Sequence, residues 1–112
     1  MCGVAGFLID SQFSSSMNYD AVIKKMTNSI KHRGPNDSGS WNNFLDGIFL
    51  GHRRLSILDL SEAGHQPMES SNDRYVIAFN GEIYNHLQIR SEIEKSNKNI
   101  SWRGHSDTET IL

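Results

Sequence analysis

Apolar residues fall into short runs separated by polar stretches, and the spacing inside the runs changes along the chain. Residues 4–9, VAGFLI, are a near-continuous apolar run of strand length and predict a buried strand. A serine-rich turn or loop follows over residues 11–16. Val22, Ile23, Met26 and Ile30 then recur at helical spacing and predict a helix over residues 19–31. Asn18 is its expected N-cap, Asp20 suits the positive first turn, and Gly34-Pro35 marks the stop.

The next stretches read as strands over residues 48–50 and 54–58, flanking Gly51 and His52. Residues 63–73 read as a loop. Residues 75–79 predict a second apolar strand and residues 82–84 a short one. A helix is expected over residues 86–95, capped by Asn85, with Leu87, Ile89 and Ile93 turned inward. Ile100 and Trp102 alternate as in a strand. In HSDTETIL, Ser106 and Glu109 have the S-x-x-E spacing of a capping box, in which the serine caps the helix and the glutamate reaches back to the cap's own N–H. The apolar face that begins at Ile111 and Leu112 stops after little more than one turn, too short for an isolated helix. The chain is therefore expected to be the N-terminal part of a longer polypeptide. No internal repeat is evident.

Composition narrows the function classes. The 112 residues fit one domain at most, with eleven basic and thirteen acidic residues and a formal charge of −2. That balance argues against a nucleic-acid binder, which would carry a basic stripe. No apolar run approaches the roughly 20 residues of a membrane span, and the start lacks the basic region of a signal peptide. A single cysteine excludes an internal disulfide and four-thiolate zinc sites. A cytoplasmic, reduced protein is expected.

That cysteine, Cys2, is the first candidate for chemistry. Methionine is generally trimmed before a small residue, which would leave a thiol and a free α-amine on one residue. The amine titrates near ~7.7–8.0 and the thiol near ~8.5, so the amine can act as a built-in base. Gly3 leaves room for an approaching carbonyl. On position alone, a small buried hydrophobe, cysteine's commonest fate, is the weightier reading of Cys2.

The other candidates each have a plain structural reading beside the chemical one. KHRGPND, residues 31–37, reads as a helix C-terminus with cations at the negative end of the dipole. In GHRRLSILDL, Arg53 and Arg54 point to opposite faces of a strand, one of them exposed. The inward one needs an anionic partner, either a structural acid or a substrate carboxylate. Asn80-Gly81 between apolar runs is a hairpin signal, yet an Asn amide and a Gly N–H can also form a two-donor oxyanion hole. Asp107 is a first-turn acid that could hold a substrate ammonium. Histidines 32, 52, 65, 86 and 105 show no metal-ligand spacing and read as surface or structural.

Taken in order, Cys2-Gly3, HRGP, GHRRLSILDLS with GHQPM, FNGEIYN and SDTE resemble class II glutamine amidotransferases. The resemblance spans the chain and is nearest to the glutamine-hydrolysing asparagine synthase family. It implies an α+β fold, the N-terminal-nucleophile αββα sandwich with antiparallel sheets between helical layers, incomplete in this chain. It implies glutamine as substrate, with a synthetase domain beyond residue 112 that uses ATP and Mg²⁺ to activate aspartate. No cofactor or metal is expected in the chain itself, and a homo-oligomer of the full-length protein is compatible with the family.

By that resemblance Cys2 is the nucleophile and Asn80 with Gly81 the oxyanion hole. Arg54 binds the glutamine α-carboxylate, Glu82 and Asp107 bind its amino groups, and backbone at Ile57 lines the pocket. Asn36 follows Pro35 where many relatives carry aspartate, with Asp37 next. Two other readings stay open: an amidotransferase with a sugar or another carboxylate as acceptor, and an inactive binding module.

Overall fold

The computed structural model describes residues 1–10, 16–56 and 61–112. Its helices and antiparallel strands make a mixed α+β fold. The order is β1 (Gly3–Leu8), α1 (Tyr19–Ser29), β2 (Asp37–Asn43), β3 (Ile48–Arg54), β4 (Met68–Glu69), β5 (Val76–Ile77), α2 (His86–Ser96) and α3 (Asp107–Ile111), with 3-10 turns at Lys31–Arg33 and Glu62–Gly64.

The main sheet runs β1-β3-β2, all antiparallel. Its register sets Gly3 opposite Arg53 and Leu8 opposite Ile48 on one side, and Asp37 opposite Arg54 on the other. β4 and β5 form a second, two-stranded sheet with Met68 opposite Ile77. Their turn is held by Ser70, whose hydroxyl accepts the N–H groups of Arg74 and Tyr75.

Alternation along β3 gives the sheet two different faces. Phe49, Gly51 and Arg53 face α1. Phe7 stacks on Phe49 at 4.7 Å, and Tyr19 and Phe44 pack around the same ring. Ile23 and Phe49 are fully buried there. Helix α1 comes so near that a Cβ at Gly51 would overlap the Thr27 hydroxyl, which itself donates to the Ile23 carbonyl. The opposite face carries Leu50, His52 and Arg54 and meets the smaller sheet. There Trp41 Nε1 donates to Glu69 at 2.5 Å, and the Gln66 carbonyl fills the space beside Gly39.

Several expectations need correction. Both arginines are buried, at 6% and 8% exposure for Arg53 and Arg54. They do diverge, but β3 is the central strand and both its faces are covered. One unbroken β3 replaces the two strands expected around Gly51 and His52, and of residues 55–58 only 55 and 56 are described, neither in a strand. β1 is an edge strand rather than a buried one: Val4 and Leu8 are exposed.

Residues 82–84 form no strand, and no hairpin turns at Asn80-Gly81. The Ile83 N–H that a neighbouring strand would have accepted donates instead to Asp107 Oδ2 at 2.8 Å. The apolar strand expected over 75–79 is only β5, and residues 100–102 are not a strand. The expected loop over 63–73 holds part of a 3-10 turn and all of β4.

Helix α1 ends at Ser29, and Asn18 caps it by accepting from Ala21 N as expected. Asn85 makes no side-chain cap on α2, and Leu87 is exposed while Arg90 is buried. Ser106 does cap α3 through Thr108 N. Glu109 does not complete the capping box. Its carboxylate accepts from the N–H groups of Arg103 and Gly104 further upstream and pairs with the buried Arg90 at 3.3 Å.

Candidate active site

The second face of β3 opens into a cleft of about 320 Å³. Cys2 enters it from the start of β1. Its Sγ accepts the Leu55 N–H at 3.3 Å, just past the end of β3. Its carbonyl accepts from Arg33 Nε at 3.1 Å. Cys2 is thus held at both its thiol and its carbonyl, although it sits at a chain terminus where fraying is the norm.

Arg54 reaches the cleft from the last position of β3. Its Nη1 donates to the Ser61 carbonyl at 2.8 Å. The guanidinium packs against the Glu62–Gly64 turn, where a Cβ on Gly64 would overlap it. Asn80, Gly81 and Glu82 line the opposite wall on an exposed, irregular segment. Asp107 closes the wall from the first turn of α3. It is buried, and its two oxygens accept the N–H groups of Ile83 and Thr108. Each carboxylate oxygen keeps a further lone pair for a cation.

Six of the seven residues singled out in the sequence therefore share one cleft: Cys2, Arg54, Asn80, Gly81, Glu82 and Asp107. The seventh, Ile57, lies outside the described residues. Leu55, two residues before it, does line the cleft.

The polar groups behind the cleft carry the electrostatics. His52 is 1% exposed, and its Nε2 lies 3.1 Å from the Phe79 carbonyl. Burial depresses its basicity, with the nearby Arg54 and His65 adding to the effect, and the Phe79 carbonyl and Asp37 only partly offset it. The ring is held neutral, with its N–H on the carbonyl. Asp37 pairs with His65 Nδ1 at 2.7 Å. Burial raises the Asp37 carboxyl, but the bonds from His65 and the Ser38 N–H, with the charges of His65 and Arg54, hold it below the usual carboxylate range. Asn36, the position of the departure noted in the sequence, accepts from Ser56 N through its side chain at 3.1 Å.

Three supporting residues escaped the sequence reading. Arg33 sits inside HRGP, where a helix terminus accounted fully for it. Gln66 and His52 sit in GHQPM and GHRRL, and nothing in local spacing gives either one a partner.

A match to the glutamine amidotransferase domain covers residues 1–112, the whole of the chain. The chain belongs to the glutamine amidotransferase domain family. Among its relatives, asparagine synthetase [glutamine-hydrolyzing] 1 of Bacillus subtilis is 38% identical over 112 residues, covering all of this chain and 17% of the relative. The putative asparagine synthetase [glutamine-hydrolyzing] 2 of Methanocaldococcus jannaschii is 39% identical over 128 residues, covering all of this chain and 23% of the relative. Amidase chry2 of Gibberella zeae is 34% identical over 119 residues, covering all of this chain and 17% of the relative. The amidotransferase chain thus spans about a fifth of the length of the relatives it matches. Among the described residues no helix is long and apolar enough to cross a membrane.

Proposed function

We propose that this chain carries the glutamine-hydrolysing site of an asparagine synthase. On this reading Met1 is removed and the Cys2 α-amine takes the thiol proton. Cys2 Sγ attacks the side-chain carbonyl carbon of glutamine, and the oxyanion that forms is held by the Asn80 amide and the Gly81 N–H. The C–N bond breaks, and ammonia leaves with the proton returned by the amine. A γ-glutamyl thioester remains on Cys2. Water, deprotonated by the same amine, attacks the thioester carbonyl; the C–S bond breaks, glutamate leaves, and the amine returns the proton to Cys2 Sγ. Arg54 binds the α-carboxylate, while Asp107 and Glu82 bind the α-ammonium. Backbone at Ile57 adds to the pocket.

The observation that carries this reading is the single cleft in which a thiol, one guanidinium, two carboxylates and an Asn-Gly pair converge. A zwitterionic amino acid with a reactive carbonyl at its far end needs those groups. The three-stranded sheet, with α1 on one face and β4-β5 on the other, fits three layers of an N-terminal-nucleophile αββα sandwich. The rest of that sandwich and a synthetase domain using ATP and Mg²⁺ would lie outside this chain.

The test is intact-mass spectrometry after brief exposure to a diazo-ketone analogue of glutamine. One adduct on Cys2 of a chain lacking Met1, blocked by excess glutamine, supports the proposal. Retained Met1, or an adduct that glutamine does not block, refutes it. The acceptor is tested separately with the full-length protein, ATP, aspartate and amide-¹⁵N glutamine. Labelled asparagine supports the synthase reading. Ammonia released with no labelled asparagine favours a different acceptor.

A further inference from the structure

Gln66 is 5% exposed and lies at the back of the cleft. Its Oε1 accepts the Phe79 N–H at 2.7 Å, and its Nε2 donates to Thr108 Oγ1 at 3.1 Å. Phe79 directly precedes Asn80-Gly81, and Thr108 directly follows Asp107. One buried amide therefore ties the segment that carries Asn80 and Gly81 to the start of α3. Its own backbone is seated against the main sheet, where the Gln66 carbonyl occupies the space a side chain at Gly39 would fill.

The segment bearing Asn80 and Gly81 has no strand neighbour of its own. It hangs from hydrogen bonds at its two ends: Phe79 N on Gln66, Phe79 O on His52, and Ile83 N on Asp107. Asp107 is in turn the residue next to Gln66's second partner. These bonds close a loop, Gln66–Phe79–Ile83–Asp107–Thr108–Gln66. A loop of directional bonds transmits a displacement at one corner to the others.

We infer that Gln66 is a positioning residue that couples the Asn80-Gly81 segment to Asp107. It sets the spacing between the group that stabilises the oxyanion and the group that holds the substrate ammonium. This rests on the amidotransferase reading of the cleft. A glutamine is suited to the task because its amide accepts at one end and donates at the other, in a fixed plane. Methionine at this position would fill the volume and make neither bond.

The variants are Gln66→Met, which loses both bonds, Thr108→Val, which loses only the one toward α3, and the double variant. Amide exchange and glutaminase kinetics are measured on the full-length protein. In both single variants we expect faster exchange at Phe79, Gly81 and Ile83, and a drop in kcat/KM of about 10-fold in Gln66→Met. We expect the double variant to be no worse than Gln66→Met, because the two substitutions cut the same link. Unchanged exchange across residues 79–83 in Thr108→Val would overturn the inference. So would a double variant whose loss is the product of the single losses. Exchange reads the coupling without any turnover, whereas glutamine-blocked labelling of Cys2 in the parent protein reads the amidotransferase site itself. Failure of one is therefore distinguishable from failure of the other.

Discussion

The guanidinium of Arg54 rests on Gly64, with no room for a side chain between them. The contact explains why a buried cation at the end of a strand keeps a fixed direction. The Ser61 carbonyl holds one nitrogen, and the 3-10 turn at Glu62–Gly64 packs against the guanidinium. Gly64→Ala should push the guanidinium away from the cleft without emptying any core. If Arg54 binds the α-carboxylate, KM for glutamine rises by about 10-fold or more, since a hydrogen bond to a charged group contributes about 1.5–3 kcal/mol. The kcat should fall much less. Steady-state glutaminase kinetics check the split, and an unchanged KM would remove Arg54 from the carboxylate site.

Arg33 holds the carbonyl of Cys2 from outside the cleft. Arg33→Met keeps the aliphatic stem and loses the bond. The thiol should then be less well aimed, lowering kcat by roughly 10-fold, the worth of one charge-assisted bond. Thermal stability should barely move, because Arg33 is exposed. Alkylation of Cys2 by the glutamine analogue should slow in parallel, while iodoacetamide labelling, which needs no aim, should not.

His52 ties stability to pH in the neutral range. Its folded pKa is depressed below the 6.5 of the free side chain, chiefly by burial, so the unfolded chain binds a proton that the folded chain refuses. The contribution is complete above about pH 6.5 and falls as the pH drops toward the folded pKa. Urea midpoints should therefore decrease between pH 7.5 and pH 5.5. His52→Gln, which retains an N–H for the Phe79 carbonyl, should flatten that decrease. Asp37 adds an acid limb of its own. Its folded pKa lies below 3.8, so its contribution is present above that value and is lost only at still lower pH.

Arg90 is the buried post that joins α2 to α3. It donates to Thr110 Oγ1 and to the carbonyls of Gly104 and Ser106, pairs with Glu109, and lies 4.1 Å from the Trp102 ring centre. Arg90→Met should cost less than the about 3–5 kcal/mol of a fully unpaired buried charge, because Glu109 loses its buried cation but keeps the half-exposed Arg103 guanidinium at 3.4 Å. Chemical denaturation checks the loss. The double variant Arg90→Met, Glu109→Gln should recover part of it, since the buried carboxylate is then neutral.

The legible parts of the fold were those with local causes. α1 could be bounded from its apolar spacing and its Asn18 cap, because both act within one turn. The Ser106 cap was legible for the same reason. Glu109 departs from the capping box its spacing suggests because three partners from upstream, Arg103, Gly104 and Arg90, compete successfully for its oxygens. Residues 82–84 look like a strand in composition, but a strand needs a neighbour. Their one anchored N–H found a carboxylate instead. Strand alternation does send the two arginines to opposite faces, yet no local pattern tells a central strand from an edge strand.

By itself, the sequence determined which chemical groups the chain carries, their order, and the helices whose apolar spacing and caps act within a few residues. Read by resemblance, it also pointed to six residues that share the cleft. Tertiary structure alone decided how those groups are held. Arg33 on the Cys2 carbonyl, Gly64 under Arg54, and Gln66 between Phe79 and Thr108 are contacts across long stretches of chain. Such contacts leave no periodic trace, because they form only where packing brings distant backbone groups within hydrogen-bonding reach. Burial then makes each one obligatory, since a polar group removed from water must find a partner where the fold has put it.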